Sequence, residues 1–486
     1  MKILSKVVIS ILILLFVSFS VCACKTVYDI KTTDKQENYN FHSVKIPSED
    51  ALNRFSGGLK IKTISNPVYE NTDFRYFDEF ISYIQEQYPL IFSACEFELI
   101  NNYGIVLKLN GKNKENKPNL LTAHYDVVGV KDESKWEHPP FSGFYDDKYM
   151  YSRGTIDDKG SVFAILEALN GLLENNYTPQ SDLYIAFSQA EETGSPEGAP
   201  KIIEYFKSQN ISFNTALDEG GRIVDKNGKY YAFIGISEKG RLLTKVTVHG
   251  TGSHASSPSS DLAVVKLAKL ISAFSNNKPK AVLTKEIRDY YKKTYNSYNL
   301  IQKILISNTD ILRPLFYKEF SKNAEDNARL HSTLAITVIE ASNVQNAVSN
   351  DASMLIDARI LPSQSRDDIK QFINKIISKT LPNEDVTVEY IGGMEPCPPS
   401  NTDSDEYKQL VNNIQKLYPN MTAAPYMTLG ATDAREYAEI SDNTYRFLPC
   451  ILTQEDAALM HSDNEKLSLE NWARMIDFYK EFMLDR

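Results

Sequence analysis

Two adjacent carboxylates, Asp157 and Asp158, stand in the stretch SRGTIDDKG (152–160), directly ahead of a segment with apolar residues at Val162, Ile165, Leu166, Leu169, Leu172 and Leu173. That spacing predicts a helix over 160–175. A carboxylate at a strand-to-helix corner can reach into the crevice above a parallel sheet, where open α/β folds place their ligands. The pair alone supports two readings: acids set against a helix dipole, or an Asp157 carboxylate shared between two metal ions.

Other residues of the same chemistry recur along the chain. His124 and Asp126 stand two apart at the end of NLLTAHYDVV (119–128), which reads as a buried strand with both side chains on one face. A ligating histidine generally passes its second ring N–H to a carboxylate. Glu191 and Glu192 follow an apolar strand at 184–188 and can divide labour, one as metal ligand and one as general base. Asp218 and Glu219 close a short strand at 214–217, and His461 lies in MHSDNE near the C-terminus. Each of these, taken singly, also reads as a polar strand end or charged loop. Together they put a carboxylate or histidine at the end of four successive elements, where an α/β sheet presents them to one crevice. That donor set suits a divalent ion with mixed histidine and carboxylate ligands, zinc above all. The chain has no GxSxG, Walker A or HExxH motif. GTGSHA (250–255) fits GxGxxA but lacks a ribose-binding acid and a surrounding βαβ unit, which argues against dinucleotide binding.

The elements that must position these residues alternate. Helices are expected at 73–88, 160–175 and 197–208 between strands at 119–128, 184–188 and 214–217, which implies a mainly parallel sheet sandwiched by helices. The pattern changes near Glu238. A strand at 242–249, a helix at 261–274, strands at 334–339 and 353–360, an amphipathic helix with Ile369, Phe372, Ile373, Ile376 and Ile377, and a strand at 386–391 give the order βαββαβ of a ferredoxin-like unit. Residues 280–330 are an extra helical stretch rich in Tyr and Lys. Helix and strand signals resume at Glu395 and end in an amphipathic helix at 468–483. The expected plan is a catalytic domain in two pieces, 48–237 and 395–486, with a smaller lid domain at 238–394 inserted between them.

With 486 residues the chain exceeds one ordinary core. Its 42% apolar and 24% charged residues are those of a globular protein, and a net charge of −10 without Lys/Arg clusters argues against nucleic acid as a partner. MKILSK followed by VVISILILLFVSFSVCA is a secretory-signal pattern near the length that can span a bilayer. Residues 1–24 therefore read as a signal peptide or membrane anchor. Val21, Cys22, Ala23 and Cys24 resemble a lipobox, which would make Cys24 a lipidated residue, with plain cleavage or an uncleaved anchor as alternatives. The polar stretch 25–47 reads as a tether. Three scattered cysteines, Cys95, Cys397 and Cys450, give no disulfide framework and read as small buried residues.

At this point the motifs converge on a known pattern. AHYDVV, WEHPPFSG (136–143), SRGTIDDKGS, EETGS, DEGG, GTGSHASSP, GATDAR (430–435) and YRFLP (445–449) run in the order of the M20 metallopeptidases. The chain resembles in particular the carboxypeptidase S-like branch, which includes N-acyl amino acid hydrolases. The resemblance implies two zinc ions (Zn2+) per chain: His124 and Asp218 on one, Glu192 and His461 on the other, Asp157 bridging. It further implies Asp126 as the group orienting His124 and Glu191 as general base. His254 would be the lid histidine stabilising an oxyanion, Asn346 a ligand of the substrate carbonyl, and Arg359 and Arg435 clamps for a carboxylate. Dimerisation through the lid is a further implication. The sequence departs from the family at Ser349, where a proline is usual, in lacking a Gly-rich turn before it, and at Ser462, where a glycine commonly follows the last ligand.

The expectation is thus an exported, membrane-tethered di-zinc amidohydrolase. It would act on short peptides or N-acyl amino acids, cleaving an amide next to a residue with a free carboxylate. The alternatives are an enzyme using one metal and a non-catalytic binding module of the same fold at the cell surface. The second predicts loss of a ligand or of the base, and all of those positions are filled.

Overall fold

The computed structural model describes residues 20–33 and 44–485. Within them the chain divides into two units: 44–236, 400–426 and 432–485 form the first, and 20–33, 237–399 and 427–431 the second.

The first unit is built on a mixed nine-stranded sheet. In spatial order eight strands run Glu96–Ile100, Gly104–Leu109, Leu183–Ser188, Asn119–His124, Phe213–Asp218, Ser441–Arg446, Tyr230–Glu238 and Thr422–Thr428, with Ile223–Asp225 pairing beside Tyr230–Glu238. The four central strands, from Leu183–Ser188 to Ser441–Arg446, are parallel, and antiparallel pairs flank them. Every residue of Asn119–His124 and Leu183–Ser188 is buried, as expected of parallel strands covered on both faces. Period-two alternation divides their side chains between two cores. Leu121, Ile185, Phe187 and Leu217 pack with the helices Lys159–Leu173 and Leu469–Leu484. Leu120, Tyr184, Ala186 and Ala216 pack with the helix Ala199–Ser208. Helix Lys159–Leu173 is buried almost all round, between sheet and Leu469–Leu484. Its second residue must be glycine, because a Cβ on Gly160 would lie 2.2 Å from the carbonyl oxygen of Thr155. That close approach folds the 152–158 loop back onto the helix start.

The second unit holds a four-stranded antiparallel sheet in spatial order Thr333–Glu340, Asp351–Ile360, Gly240–His249, Val386–Met394. With the helices Ala263–Asn276 and Arg366–Thr380 the chain order is the predicted βαββαβ. Gly240–His249 alternates strictly between buried and half-buried residues, and its buried side chains meet both helices in one core. The extra segment is helical: Lys285–Lys293, Leu300–Ser307, Thr309–Phe320 and Ala324–Leu330. Tyr290, Tyr291, Tyr295 and Tyr298 are core residues; Tyr291 packs against Tyr290, Tyr298, Phe316 and Phe320.

The N-terminal stretch differs from the tether expected over 25–47. Residues 20–32 are helical, with Cys22 and Thr26 buried, and residues 34–43 lie outside the described residues. Most of the apolar run lies outside them too. Among the described residues, no helix is long and apolar enough to cross a membrane. All five cysteines are free; Cys24 is exposed, and Cys95, Cys397 and Cys450 are buried as expected.

Candidate metal centre

Three of the parallel strands end in the side chains that make the site. His124 is the last residue of Asn119–His124, Glu191 and Glu192 follow Leu183–Ser188, and Glu219 follows Phe213–Asp218. The 152–158 loop brings Asp157 to them at the start of helix Lys159–Leu173, and the loop before Leu469–Leu484 brings His461. Nε2 of His124 is 2.8 Å from Oδ1 of Asp157, and Nε2 of His461 is 2.9 Å from Oδ2 of the same carboxylate. The second histidine also meets Oε2 of Glu192 at 2.9 Å. Glu191 and Glu219 place carboxylate oxygens 3.9 and 4.0 Å from Nε2 of His124. Two groups of possible ligand atoms lie close enough to hold a metal ion: His124, Asp157 and Glu192, and His124, Asp158 and Glu219.

Two further carboxylates hold these loops in place. Asp126 is fully buried and lies just past the strand that was expected to contain it. Its Oδ1 is 3.3 Å from Nδ1 of His124, and its two oxygens accept the backbone N–H groups of Glu191 and Glu192 at 3.2 Å. Ser65 donates to Oδ2 at 2.6 Å. One carboxylate thus orients the histidine and fixes the corner that presents both glutamates. Glu465, also fully buried, does the same for the Asp157 loop. It accepts from Nη1 of Arg153 at 2.6 Å and from the backbone N–H groups of Ile156 and Gly154 at 2.8 and 3.1 Å. Because Glu465 and His461 share one short stretch, the same loop positions Asp157 and supplies a ligand candidate.

The electrostatics call for a cation. Burial, with the negative charges of Asp433 and Asp157, pushes the Glu191 carboxyl well above the usual range. Burial and Asp157 push Glu192 up to about 7, and burial with Asp157 and Asp158 raises Glu219 well above the usual range. Burial alone would also raise Asp157, but hydrogen bonds from His124 and His461 outweigh it and hold that carboxyl low. Asp157 and Glu192 raise His461 to about 10. Oε1 of Glu192 is buried without a hydrogen-bond partner. A cluster of buried carboxylates with the buried imidazole of His124 and the exposed one of His461, and with an unpartnered carboxylate oxygen on Glu192, fits divalent metal with mixed N and O donors.

Of the two acids in DEGG, Glu219 falls in one of the candidate groups, and Asp218 lies next to it. Asp218, the last residue of its strand, is buried with Oδ2 lacking a hydrogen-bond partner, and it interacts with Thr122, Arg446 and His124, while Glu219 lies 4.0 Å from His124. Both acids of the DEGG motif thus stand within reach of His124. Asp433 is another acid whose role spacing did not reveal. It accepts a hydrogen bond from the Ser188 hydroxyl, and burial and the negative charge of Asp218 raise it to about 7.

The remaining expected residues fall as follows. In the second unit, Ser253–His254 pairs with Ala347–Val348 as a two-stranded ribbon, and the carbonyl of Asn346 accepts from the N–H of Ala255 at 3.0 Å. The loop without its proline thus still brings Asn346 beside His254. His254 is exposed, its Nδ1 bonded to Oγ of Ser256 at 2.7 Å. Arg359 lies on Asp351–Ile360 and gives its Nε to Oδ1 of Asp357 at 3.0 Å. In the first unit Arg435 follows Asp433 and lies 3.3 Å from Glu436.

A mixed α/β sheet with a parallel centre, an inserted antiparallel lid sheet and a buried His/carboxylate centre define a metal-dependent hydrolase of peptides and related amides. The chain belongs to peptidase family M20/M25/M40, whose profile matches residues 120–485. It is 33% identical to the probable carboxypeptidase S-like 2 of Dictyostelium discoideum, over 88% of this chain and 83% of that one. It is 30% identical to the N-fatty-acyl-amino acid synthase/hydrolase PM20D1.1 of Danio rerio, over 90% and 85%. Among solved structures its fold is similar to the M20 family metallo-carboxypeptidase Sso-CP2 of Sulfolobus solfataricus, with a TM-score of 0.65 at 20% identity, covering 90% of this chain and 99% of that one. Human carnosine dipeptidase 1 has the same fold, with a TM-score of 0.58 at 15% identity over 90% and 96%.

Proposed function

We propose that this M20 enzyme uses two zinc ions to hydrolyse an amide whose nitrogen belongs to a residue with a free carboxylate, in a short peptide or an N-acyl amino acid. One observation carries the reading: the two oxygens of Asp157 each face a different imidazole, His124 and His461, as a bridging carboxylate requires. His124 and Asp218 would hold one ion and Glu192 and His461 the other, with Asp157 shared and Glu219 beside His124. Two ions there supply Lewis acidity and a water of lowered pKa. Glu191 is the base: it lies outside both ligand groups, and its raised affinity for protons suits it to take one from the attacking water and return it to the leaving nitrogen. Asp126 keeps His124 in the tautomer that leaves Nε2 free. His254 is proposed to stabilise the oxyanion, and Asn346, Arg359 and Arg435 to bind substrate.

The relatives in Dictyostelium and Danio bear names for a carboxypeptidase and a fatty-acyl-amino acid hydrolase, and either substrate class satisfies the chemistry of this site. The apolar N-terminus supports export and attachment to a membrane. The exposed edge strand Thr333–Glu340 supports a homodimer through the lid. The test is metal content and hydrolysis by the full chain in detergent, on a short peptide with a free C-terminus and on a long-chain N-acyl amino acid. About two zinc ions per chain with chelator-sensitive cleavage is expected. Protein that binds no zinc and cleaves neither substrate would support the non-catalytic binding module instead.

A further inference from the structure

The insertion of the second unit carries an apolar surface that its own core does not use. Leu300, Ile301, Ile311 and Leu315 are 62%, 66%, 55% and 55% exposed. The first two open the helix Leu300–Ser307; the other two lie in Thr309–Phe320, on either side of its kink at Leu312. These helices pack together as a hairpin joined at Asn308. Their inner sides are occupied by Leu305, Ile306, Phe316 and Phe320, all buried. Single exposed aliphatics are ordinary, but four in one short hairpin form a patch of the kind that marks an interaction site.

The attachment of the N-terminal helix indicates what covers the patch. Nδ2 of Asn308 donates to the carbonyl of Cys22 at 3.3 Å and to the hydroxyl of Thr26 at 3.1 Å. Lys25 lies 3.9 Å from Asp310. The helix 20–32 is therefore fastened to the junction of the hairpin, and in sequence it directly continues the apolar run that ends at Ala23. A retained run would enter a bilayer beside the hairpin. A lipid on Cys24 would be held in the same place, because Lys25 and Thr26 follow that residue. The local charge agrees: residues 285–320 carry seven Lys/Arg against four Asp/Glu in a chain whose net charge is −10. Apolar side chains among basic ones are what an interfacial helix presents to lipid.

We propose that Leu300, Ile301, Ile311 and Leu315 bed into the interfacial layer of a lipid bilayer, beside the point where the N-terminal segment meets it. The enzyme then rests on the membrane through two contacts, the N-terminus and the insertion hairpin. This inference stands apart from the catalytic reading. A second copy of the chain is the other occupant of such a face, and the basic surplus and the fastening of the apolar run favour lipid over it.

The chain has two tryptophans, Trp136 and Trp472, both buried, so an added tryptophan is readable above a low background. Ile301→Trp and, as control, Ser378→Trp on the exposed side of helix Arg366–Thr380 are made in the full chain. Each is reconstituted into phosphatidylcholine–phosphatidylglycerol vesicles with brominated acyl chains. Docking gives a blue-shifted Ile301→Trp emission quenched several-fold more than that of Ser378→Trp. Equal quenching of the two would overturn the proposal. A blue shift that grows with protein concentration in detergent, without bromine quenching on vesicles, would assign the face to a second copy and would overturn it as well. Leu315→Trp repeats the measurement on the second helix should Ile301→Trp fail to fold.

Discussion

Glu191 and Glu192 are neighbours with different surroundings, and that difference is what divides their work. Glu192 shares His461 with Asp157, whereas Glu191 approaches His124 only to 3.9 Å and joins neither ligand group. Glu191→Ala is therefore expected to keep its full metal content and lose kcat by about 10²–10⁴-fold, the usual worth of a positioned base. Elemental analysis beside steady-state kinetics checks both halves; loss of metal would make Glu191 a ligand. The Asp218/Glu219 pair is decided the same way. Asp218→Ala should lose about one of two metal ions, because its buried Oδ2 has no hydrogen-bond partner of its own, while Glu219→Ala should retain both. The reverse pattern would make Glu219 the ligand. Asp157→Ala should strip metal altogether, since one carboxylate serves both imidazoles.

At the scale of elements, the site depends on loops gripped by buried carboxylates. Removing the acceptor from Glu465 leaves Arg153, only 3% exposed, without its charged partner and releases the backbone of the 153–157 loop. Breaking a buried pair this way costs about 3–5 kcal/mol. Glu465→Leu is thus expected to lower unfolding stability by that order in urea titrations, while Glu465→Gln, which keeps the shape, should chiefly weaken metal affinity by about 10–100-fold. Equal metal affinity in Glu465→Gln and the wild type would reduce Glu465 to a structural role. None of this was legible in the sequence, for a physical reason. His124, Asp157 and Glu192 betray themselves because an acid or imidazole at the end of an apolar strand or before an apolar helix is out of character with its neighbours. Glu465 and Ser65 act through contacts 309 and 61 residues away in the chain, and a polar residue in a polar loop gives no local signal. The strand periodicities placed both sheets, since burial on one or two faces imprints them directly. The helix 20–32 escaped because the face it buries includes Cys22 and Thr26, where an apolar stripe would be looked for.

For the molecule as a whole, the two units have separate cores, and the second has its own dependence on pH through Lys239. This lysine, at the start of the lid, is 2% exposed and donates through Nζ to the carbonyls of Ala328 and His331, both at 2.8 Å. It thereby ties the last helix of the insertion to the first lid strand. Burial, helped by the positive charge of Arg359, brings its pKa down to about 7. An unfolded lysine titrates near 10.4. Between those values the unfolded chain holds a proton that the folded unit has released, so unfolding free energy rises with pH across the window. The contribution is complete above the unfolded value and is lost as pH falls through about 7. A neutral amine still has two N–H groups for the two carbonyls, so the tie persists while the charge is gone. Lys239→Met removes the titration and leaves both carbonyls unpaired, a penalty independent of pH. The stability difference between wild type and Lys239→Met should therefore widen as pH rises from 7 to 9, by up to about 1.4 kcal/mol per unit. Urea unfolding of both proteins at three pH values measures it; parallel pH profiles would mean that the Lys239 ammonium stays charged in the folded lid.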